Sequence, residues 1–325
     1  MKPTILLTGK TGQVGFELNR SLSQLGRLFA PDHRDLDLLD RDNVRSAIRD
    51  TRPQLIVNAA AYTAVDAAEN DVSNAHAINA EALALLADEA KRLDALLVHY
   101  STDYVFDGMK QSPYNETDET NPLNVYGKSK LAGEQAIRAS GASHLIIRTS
   151  WVYANRGRNF LLTILRLATE REELRIVCDQ IGAPTCANDI AAATAKILTE
   201  MYASDKSQTF MSSISGTYHM TAAGETSWYN FAKAILDRAP SVSPEVPWFA
   251  VATQGRPLIA KRILPISSDE FRSPTRRPIY SVLSNSRLSE IFHVSLPNWT
   301  TQLQCCLATE NNDDALLRSA SSPGS

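Results

Sequence analysis

Tyr126 and Lys130 stand four residues apart in the run Val125-Tyr126-Gly127-Lys128-Ser129-Lys130, and Thr102 closes the apolar run that begins at Leu96. Residues at i and i+4 share one face of a helix, so the phenol and the ammonium project to the same side. A free tyrosine, with a pKa near ~10, is a poor acid–base group at neutral pH. A neighbouring ammonium favours the phenolate and is expected to lower that value. A phenol tuned this way can protonate a carbonyl oxygen while a hydride reaches the carbon, or run the reverse. Lys128, two residues from Tyr126, projects elsewhere and reads as a solvated charge. Tyr-x-x-x-Lys alone is a weak signal, so its weight depends on what surrounds it.

What must surround it is a fold that brings strand ends together. The chain opens on Thr4-Ile5-Leu6-Leu7-Thr8, followed by Gly9, Gly12 and Gly15 at a spacing of three and then by the helix-favouring Phe16 to Leu22. This reads as a buried strand, a tight turn and a helix N-terminus. Glycines let a diphosphate approach the main chain, and the helix start offers unpaired N–H groups to it. A second apolar stretch, Arg27 to Ala30, ends at Pro31-Asp32. There a dinucleotide fold sets an acidic residue against the adenosine ribose, while Arg34, two residues on, suits a 2′-phosphate instead.

Strand and helix signals then alternate. Asp40 is placed to cap a helix from about Arg41 to Asp50. Leu55 to Ala61 reads as a buried strand whose three terminal alanines leave room for a ligand. A long helix is expected from Ala75 to Leu93, with His76 and Asn79 as ordinary helical residues. Leu96 to Asp103 and Leu145 to Thr149 are strands, and Val125 to about Ala139 is a helix. The pattern predicts an α/β fold, a doubly wound and mostly parallel Rossmann-type sheet. Residues 1–152 make up most of it, with a smaller substrate-covering part over 153–307 that returns some strands to the sheet. Within that part, 240–280 reads as irregular, and 308–325, polar and small-residue rich, as a disordered tail.

The 43% hydrophobic and 21% charged fractions of the 325 residues are those of a globular protein. A net charge of -3 gives no electrostatic case for nucleic acid or an anionic membrane. No apolar run approaches the roughly 18 residues a membrane span needs, and no secretory signal precedes the first strand, which points to the cytoplasm. Cys178, Cys186, Cys305 and Cys306 lack zinc spacing and read as reduced thiols, and no histidine pair has metal-binding spacing.

Taken together, the glycine trio, Ser101-Thr102-Asp103 and Tyr126 to Lys130 resemble the extended short-chain dehydrogenase/reductase superfamily. Within it, the chain resembles the dTDP-4-dehydrorhamnose reductase family over about residues 3–305. The narrower match rests on Gly9-Lys10-Thr11-Gly12-Gln13-Val14-Gly15, Asn58 to Asp66 and Ser101 to Gly108. It continues in Pro122 to Glu134, Arg148 to Tyr153, Asp179 to Thr185, Arg277-Pro278 and Leu296 to Trp299. The resemblance implies reduction of the keto group of dTDP-4-dehydro-L-rhamnose with NADPH or NADH. It implies Tyr126 as proton donor, Lys130 as its partner, and Thr102 on the reacting oxygen with Asp103 beside it. Gly12, Gln13 and Val14 would hold the diphosphate, and Asp32, Asp37 and Leu38 the adenosine end. Ala61, Tyr62, Thr63 and Tyr100 would line the rest of the cofactor, and Trp151 would stack on the sugar.

Some members of the family pair as homodimers through magnesium. Glu17 and Asp189 occupy matching places here, but Asn188 stands where a glutamate is expected, and a neutral amide weakens a site for a hard cation. The expectation is therefore no metal. Two other readings keep the same motifs: a reductase or epimerase for another nucleotide sugar, and a silent NADP-binding regulatory subunit. Trp151 and segment 240–280 bear on the first, and the match to the family is loose over 241–276.

Overall fold

Runs of apolar residues form central strands buried on both faces, in a sheet of six strands whose edge strand Arg27–Phe29 is largely exposed. The computed structural model describes residues 2–203 and 213–309. Its central strands are β1 (Thr4–Thr8), β2 (Arg27–Phe29), β3 (Leu55–Asn58), β4 (Leu96–Thr102), β5 (His144–Thr149) and β6 (Gly216–His219). Their order is β6-β5-β4-β3-β1-β2, with every neighbouring pair parallel. The chain leaves β1 in one direction for β2 and returns on the other side for β3. The crevice at that reversal, outside the carboxyl ends of β1 and β3, is where such sheets bind ligands.

Alternate residues serve the two faces. Leu7, Val57, Val98 and Ile147 pack on one side with Leu18, Ile190 and Ile197. Leu6, Ile56, Leu97 and Ile146 pack on the other with Ile48, Leu83, Leu86 and Ile137. Each fully buried Leu, Ile or Val contributes roughly 1.5–3 kcal/mol. The helices begin where capping residues stand. Asp40 accepts the N–H of Asn43 at 3.0 Å and starts Arg41–Thr51. Asn124 accepts the N–H of Gly127 at 2.8 Å and starts Val125–Ser140, the helix that carries Tyr126 and Lys130. The Asn124 amide also donates to the Arg276 carbonyl at 2.9 Å, tying this helix start to the C-terminal part.

Two expectations need correction. The helix expected over Ala75–Leu93 begins at Val72 and is interrupted by a π turn at Ala77–Glu81. There Asn79 turns fully inward: its side chain accepts the Tyr62 N–H at 2.9 Å and donates to the Tyr62 carbonyl and the Ser129 hydroxyl, both at 3.0 Å. Segment 240–280 is also more regular than its composition suggests. It holds a helix, Pro247–Thr253, and a strand, Arg262–Ile266, parallel to Glu173–Val177. That strand is mostly exposed and is held by main-chain bonds, which leave no alternation to read.

The C-terminal part has its own core around Leu161, Leu165, Phe231, Trp248 and Leu303. The helix Trp299–Ala308 takes in the first residue of the expected tail, and residues 310–325 lie outside the described residues. All four cysteines are free thiols. No helix among the described residues is long and apolar enough to cross a membrane.

Candidate active site

The glycine turn follows from its packing. Gly9 sits at φ 78°, and a Cβ on Gly15 would lie 2.0 Å from the Gly9 carbonyl oxygen, so the helix Gln13–Leu22 starts against the turn itself. Gly12 is the N-cap and supplies no side-chain acceptor, and the first helical turn holds no acidic residue. The N–H groups there are therefore left for an anion. They face a cleft of about 570 Å³ at the reversal of strand order.

Of the residues the sequence singles out, Gly9, Gly12, Gln13, Val14, Asp32, Asp37, Leu38, Ala61, Thr63, Tyr100, Tyr126 and Lys130 all line this cleft. Tyr62 does not; its main chain is the part that Asn79 clamps. Arg34 is also outside the lining, whereas Lys10, His33 and Arg158 are cationic or ionisable side chains within it. Asp32 accepts the N–H groups of Arg34 and Asp35 at 2.8 and 3.3 Å, and the first of these is the main cause of its lowered pKa. Arg34 thus contributes its backbone to the turn. Uncapped N–H groups, small residues at Ala59–Ala61 and the cations Lys10 and Arg158 in the lining suit a dinucleotide diphosphate. Lys10 and Arg158 carry no distinctive spacing, which is why the sequence did not single them out.

At the other end stand the ionisable groups. Thr102 ends β4 and Asp103 follows it, and neither lines the cofactor cleft. The Thr102 hydroxyl donates to Asp103 Oδ1 at 3.1 Å and accepts the Tyr104 N–H at 3.2 Å. Asp103 is buried, its Oδ2 has no partner among the described residues, and burial pushes its pKa up to about 7. The Tyr126 ring meets Tyr104 edge-on, with centroids 5.7 Å apart.

The expected electrostatic pairing is not what this structure shows. Burial pushes the Tyr126 phenol up to about 12; the Thr102 hydroxyl lowers it and Asp103 raises it further, without a counteracting effect of Lys130. Lys130 Nζ turns beneath the cleft, 2.7 Å from the Tyr100 carbonyl and 3.0 Å from His99 Nε2, and burial pushes its own pKa down to about 7. Among the described residues, no hydrogen bond joins Lys130 to Tyr126. A buried amine must take the polar partners within reach, and here these belong to β4.

Trp151 differs as well. It adopts a positive φ of 48°, and its ring stacks on Trp228 at 3.5 Å with planes 5° apart. Gly182 abuts the same ring, so a Cβ there would lie 2.4 Å from Cε2. One face of the Trp151 indole is therefore taken up by another indole. Glu17 and Asp189 belong to no group of three or more metal-ligating side chains among the described residues.

The family described as RmlD substrate binding domain matches residues 1–312. The dTDP-4-dehydrorhamnose reductase of Burkholderia thailandensis is 48% identical over 303 residues, covering 93% of this chain and 97% of that protein. The enzyme of the same name from Escherichia coli K12 is 43% identical over 299 residues, 91% of this chain and 94% of that protein. Among solved structures, dTDP-4-dehydrorhamnose reductase from Bacillus anthracis in complex with NADP has a TM-score of 0.82 at 33% identity, covering 94% of this chain and 99% of that one. With the glycine turn, Thr102, Tyr126 and Lys130 gathered at one sheet edge, this chain belongs to the dTDP-4-dehydrorhamnose reductase family.

Proposed function

We propose that this protein reduces the 4-keto group of dTDP-4-dehydro-L-rhamnose to the alcohol of dTDP-L-rhamnose, using NADPH or NADH. The observation that carries the reading is the placement of Tyr126 and Lys130 in the wall of the same cleft that the uncapped glycine turn floors. Gly12, Gln13 and Val14 hold the diphosphate through their main chain, and Asp32, Asp37 and Leu38 border the adenosine end. The cofactor, when bound, supplies the hydride. Tyr126 gives its phenolic proton to the oxygen that was the carbonyl, and the Thr102 hydroxyl steadies the charge that develops there. A charged Lys130 favours the phenolate left behind. Asp103 keeps Thr102 oriented through the 3.1 Å bond.

The nucleotide-sugar substrate is supported by the relatives named above. Arg277 reaches Asp66, at 3.0 Å, and joins the two parts of the chain. The test is NADPH consumption with dTDP-4-dehydro-L-rhamnose, with the product identified by mass and by NMR. Consumption that yields dTDP-L-rhamnose supports the reading. Absence of turnover with this sugar, alongside tight NADPH binding, would move the protein to another nucleotide sugar or to a regulatory role.

A further inference from the structure

A row of polar side chains crosses the apolar sheet directly beneath the site. Thr8, Asn58 and His99 are in register on three adjacent strands, β1, β3 and β4. All three are buried, Asn58 and His99 completely. The Thr8 hydroxyl donates to Asn58 Oδ1, Asn58 Nδ2 lies 3.0 Å from His99 Nδ1, and His99 Nε2 lies 3.0 Å from Lys130 Nζ. The mechanism above uses only the last member of this row. Three polar groups in a sheet core, each engaged by the next, call for a reason beyond packing.

The proton positions can be worked out from the main chain. Asn58 Oδ1 accepts the Ala60 N–H at 3.3 Å, and Asn58 Nδ2 donates to the Ala60 carbonyl at 3.3 Å. Both partners are backbone groups of fixed polarity, so they set which end of the amide is nitrogen. That nitrogen can only donate, so His99 Nδ1 must accept. A neutral imidazole carries one proton, which is then on Nε2 and aimed at Lys130. Burial together with the nearby Lys130 holds His99 well below its ordinary pKa, in keeping with a neutral ring. Lys130 Nζ already donates to the Tyr100 carbonyl at 2.7 Å. To receive the His99 proton it must present a lone pair.

We infer that His99, fixed in its Nε2–H tautomer by Asn58, is a positioning residue for Lys130 that favours the neutral amine over the ammonium. This rests on the reductase reading, in which Lys130 serves Tyr126. Charging Lys130 sets two N–H donors head to head unless the Asn58–His99 bond gives way. The charge needed to favour the Tyr126 phenolate is therefore set by the sheet beneath and not by the helix alone.

The ionisable groups around the row are few. Glu134, one turn along from Lys130, favours its charged form but is itself engaged by Arg148 and Arg138. Tyr126 lies one turn the other way, with Asp103 beside it. The Tyr100 hydroxyl points elsewhere, to Thr194 at 2.8 Å.

The test reads Lys130 directly. In protein labelled with [13Cε]lysine, the resonance missing from Lys130→Met identifies the residue, and its pH midpoint is followed by NMR in the full chain. The wild-type midpoint should lie far below the ordinary lysine value of ~10.4. In His99→Gln the amide can turn its oxygen to Nζ, and in Asn58→Asp the carboxylate draws the His99 proton to Nδ1 and leaves Nε2 to accept. Each change should raise the midpoint by about one unit or more. Because both act through one proton, the double variant should rise no further than the larger single shift. Additive shifts, an unmoved midpoint in His99→Gln, or an ordinary wild-type midpoint would each overturn the inference. Circular dichroism checks folding, and His99→Gln suffices if Asn58→Asp does not fold. NADPH oxidation with dTDP-4-dehydro-L-rhamnose, run on the same samples, separates failure of the reductase reading from failure of the His99 assignment.

Discussion

Arg148 and Glu134 meet as a fork, Nε to Oε1 at 2.9 Å and Nη2 to Oε2 at 2.7 Å, with both side chains buried. Glu134 lies one turn beyond Lys130 on the Val125–Ser140 helix, and Arg148 lies on β5, so the fork fastens that helix to the sheet. Ser101, the residue before Thr102, donates to the same carboxylate at 2.6 Å. One buried anion thereby fixes the helix and the strand that supply the site.

The first prediction concerns that anion. Glu134→Gln leaves Arg148 buried without a counter-charge, and removing one partner of a buried pair costs about 3–5 kcal/mol. Urea denaturation should show a loss of that order. Burial pushes the Glu134 carboxyl up, but the Arg148 fork outweighs it and the net shift is downward. A lowered folded pKa gives stability that is present above the unfolded value near ~4.3 and lost as pH falls through the folded one. The stability gap between wild type and Glu134→Gln should therefore narrow in acid below about pH 4. A gap that stays constant would remove the ion pair from the account.

Asp103 should behave in the opposite sense. Its pKa is pushed up to about 7 by burial. A raised carboxyl pKa means that the folded state holds a proton the unfolded state has released. The stability it contributes is complete below about pH 4 and is lost as pH rises toward 7. Asp103→Asn cannot titrate. Thermal melts should show the variant gaining on wild type between pH 5 and pH 8, and a gain independent of pH would contradict the buried, shifted carboxyl.

Why some of this was legible and some was not follows from what each feature depends on. The glycine turn, the capping residues Asp40 and Asn124, and the apolar runs of β3 and β4 are local, and local chemistry survives in sequence. The i,i+4 spacing correctly put Tyr126 and Lys130 on one helix, but spacing is silent about where a lysine head turns. Tyr100 O and His99 draw it to β4, and that contact spans some thirty positions of chain. The Trp151–Trp228 stack and the Asn79 clamp on Tyr62 are likewise products of tertiary packing. The strand Arg262–Ile266 is written in main-chain bonds to Glu173–Val177, so its side chains carried no pattern to find.

Cofactor choice gives the third prediction. Sequence spacing pointed to Arg34 for a 2′-phosphate, yet Arg34 is outside the cleft while Lys10 lines it and acts on Asp32 through charge. A single cation–phosphate contact accounts for roughly 1.5–3 kcal/mol, about tenfold or more in affinity. Fluorescence titration should therefore show Lys10→Ala weakening NADPH about tenfold more than NADH. Arg34→Ala should change neither by more than about twofold. If Arg34→Ala selectively weakened NADPH, the earlier assignment would be restored and Lys10 set aside.

The last prediction concerns Tyr126. Hydride arriving at a keto carbon leaves an alkoxide, which is costly in a site that excludes water. Relief must come from a donor already in place, and Tyr126 is a phenol that lines the cleft on the same helix as Lys130. Its pKa of about 12 in this arrangement makes it a firm holder of a proton, ready to give one to the stronger base formed in the step. Tyr126→Phe keeps the ring and its contact with Tyr104 while deleting the proton. Turnover should fall by roughly 10²–10⁴-fold. The melting temperature and the NADPH affinity should stay near those of wild type. Thr102→Val should fall less, by about tenfold to a hundredfold, since it loses one hydrogen bond to the developing charge and not the proton itself. It also gives up the acceptor for the Tyr104 N–H, so its melting temperature should drop slightly. Steady-state rates, NADPH titration and thermal melts on both variants decide the order. If folded Tyr126→Phe turned over as fast as wild type, or Thr102→Val were the more damaged of the two, the proton would have to come from elsewhere, and the buried carboxyl of Asp103 would be the next group to replace.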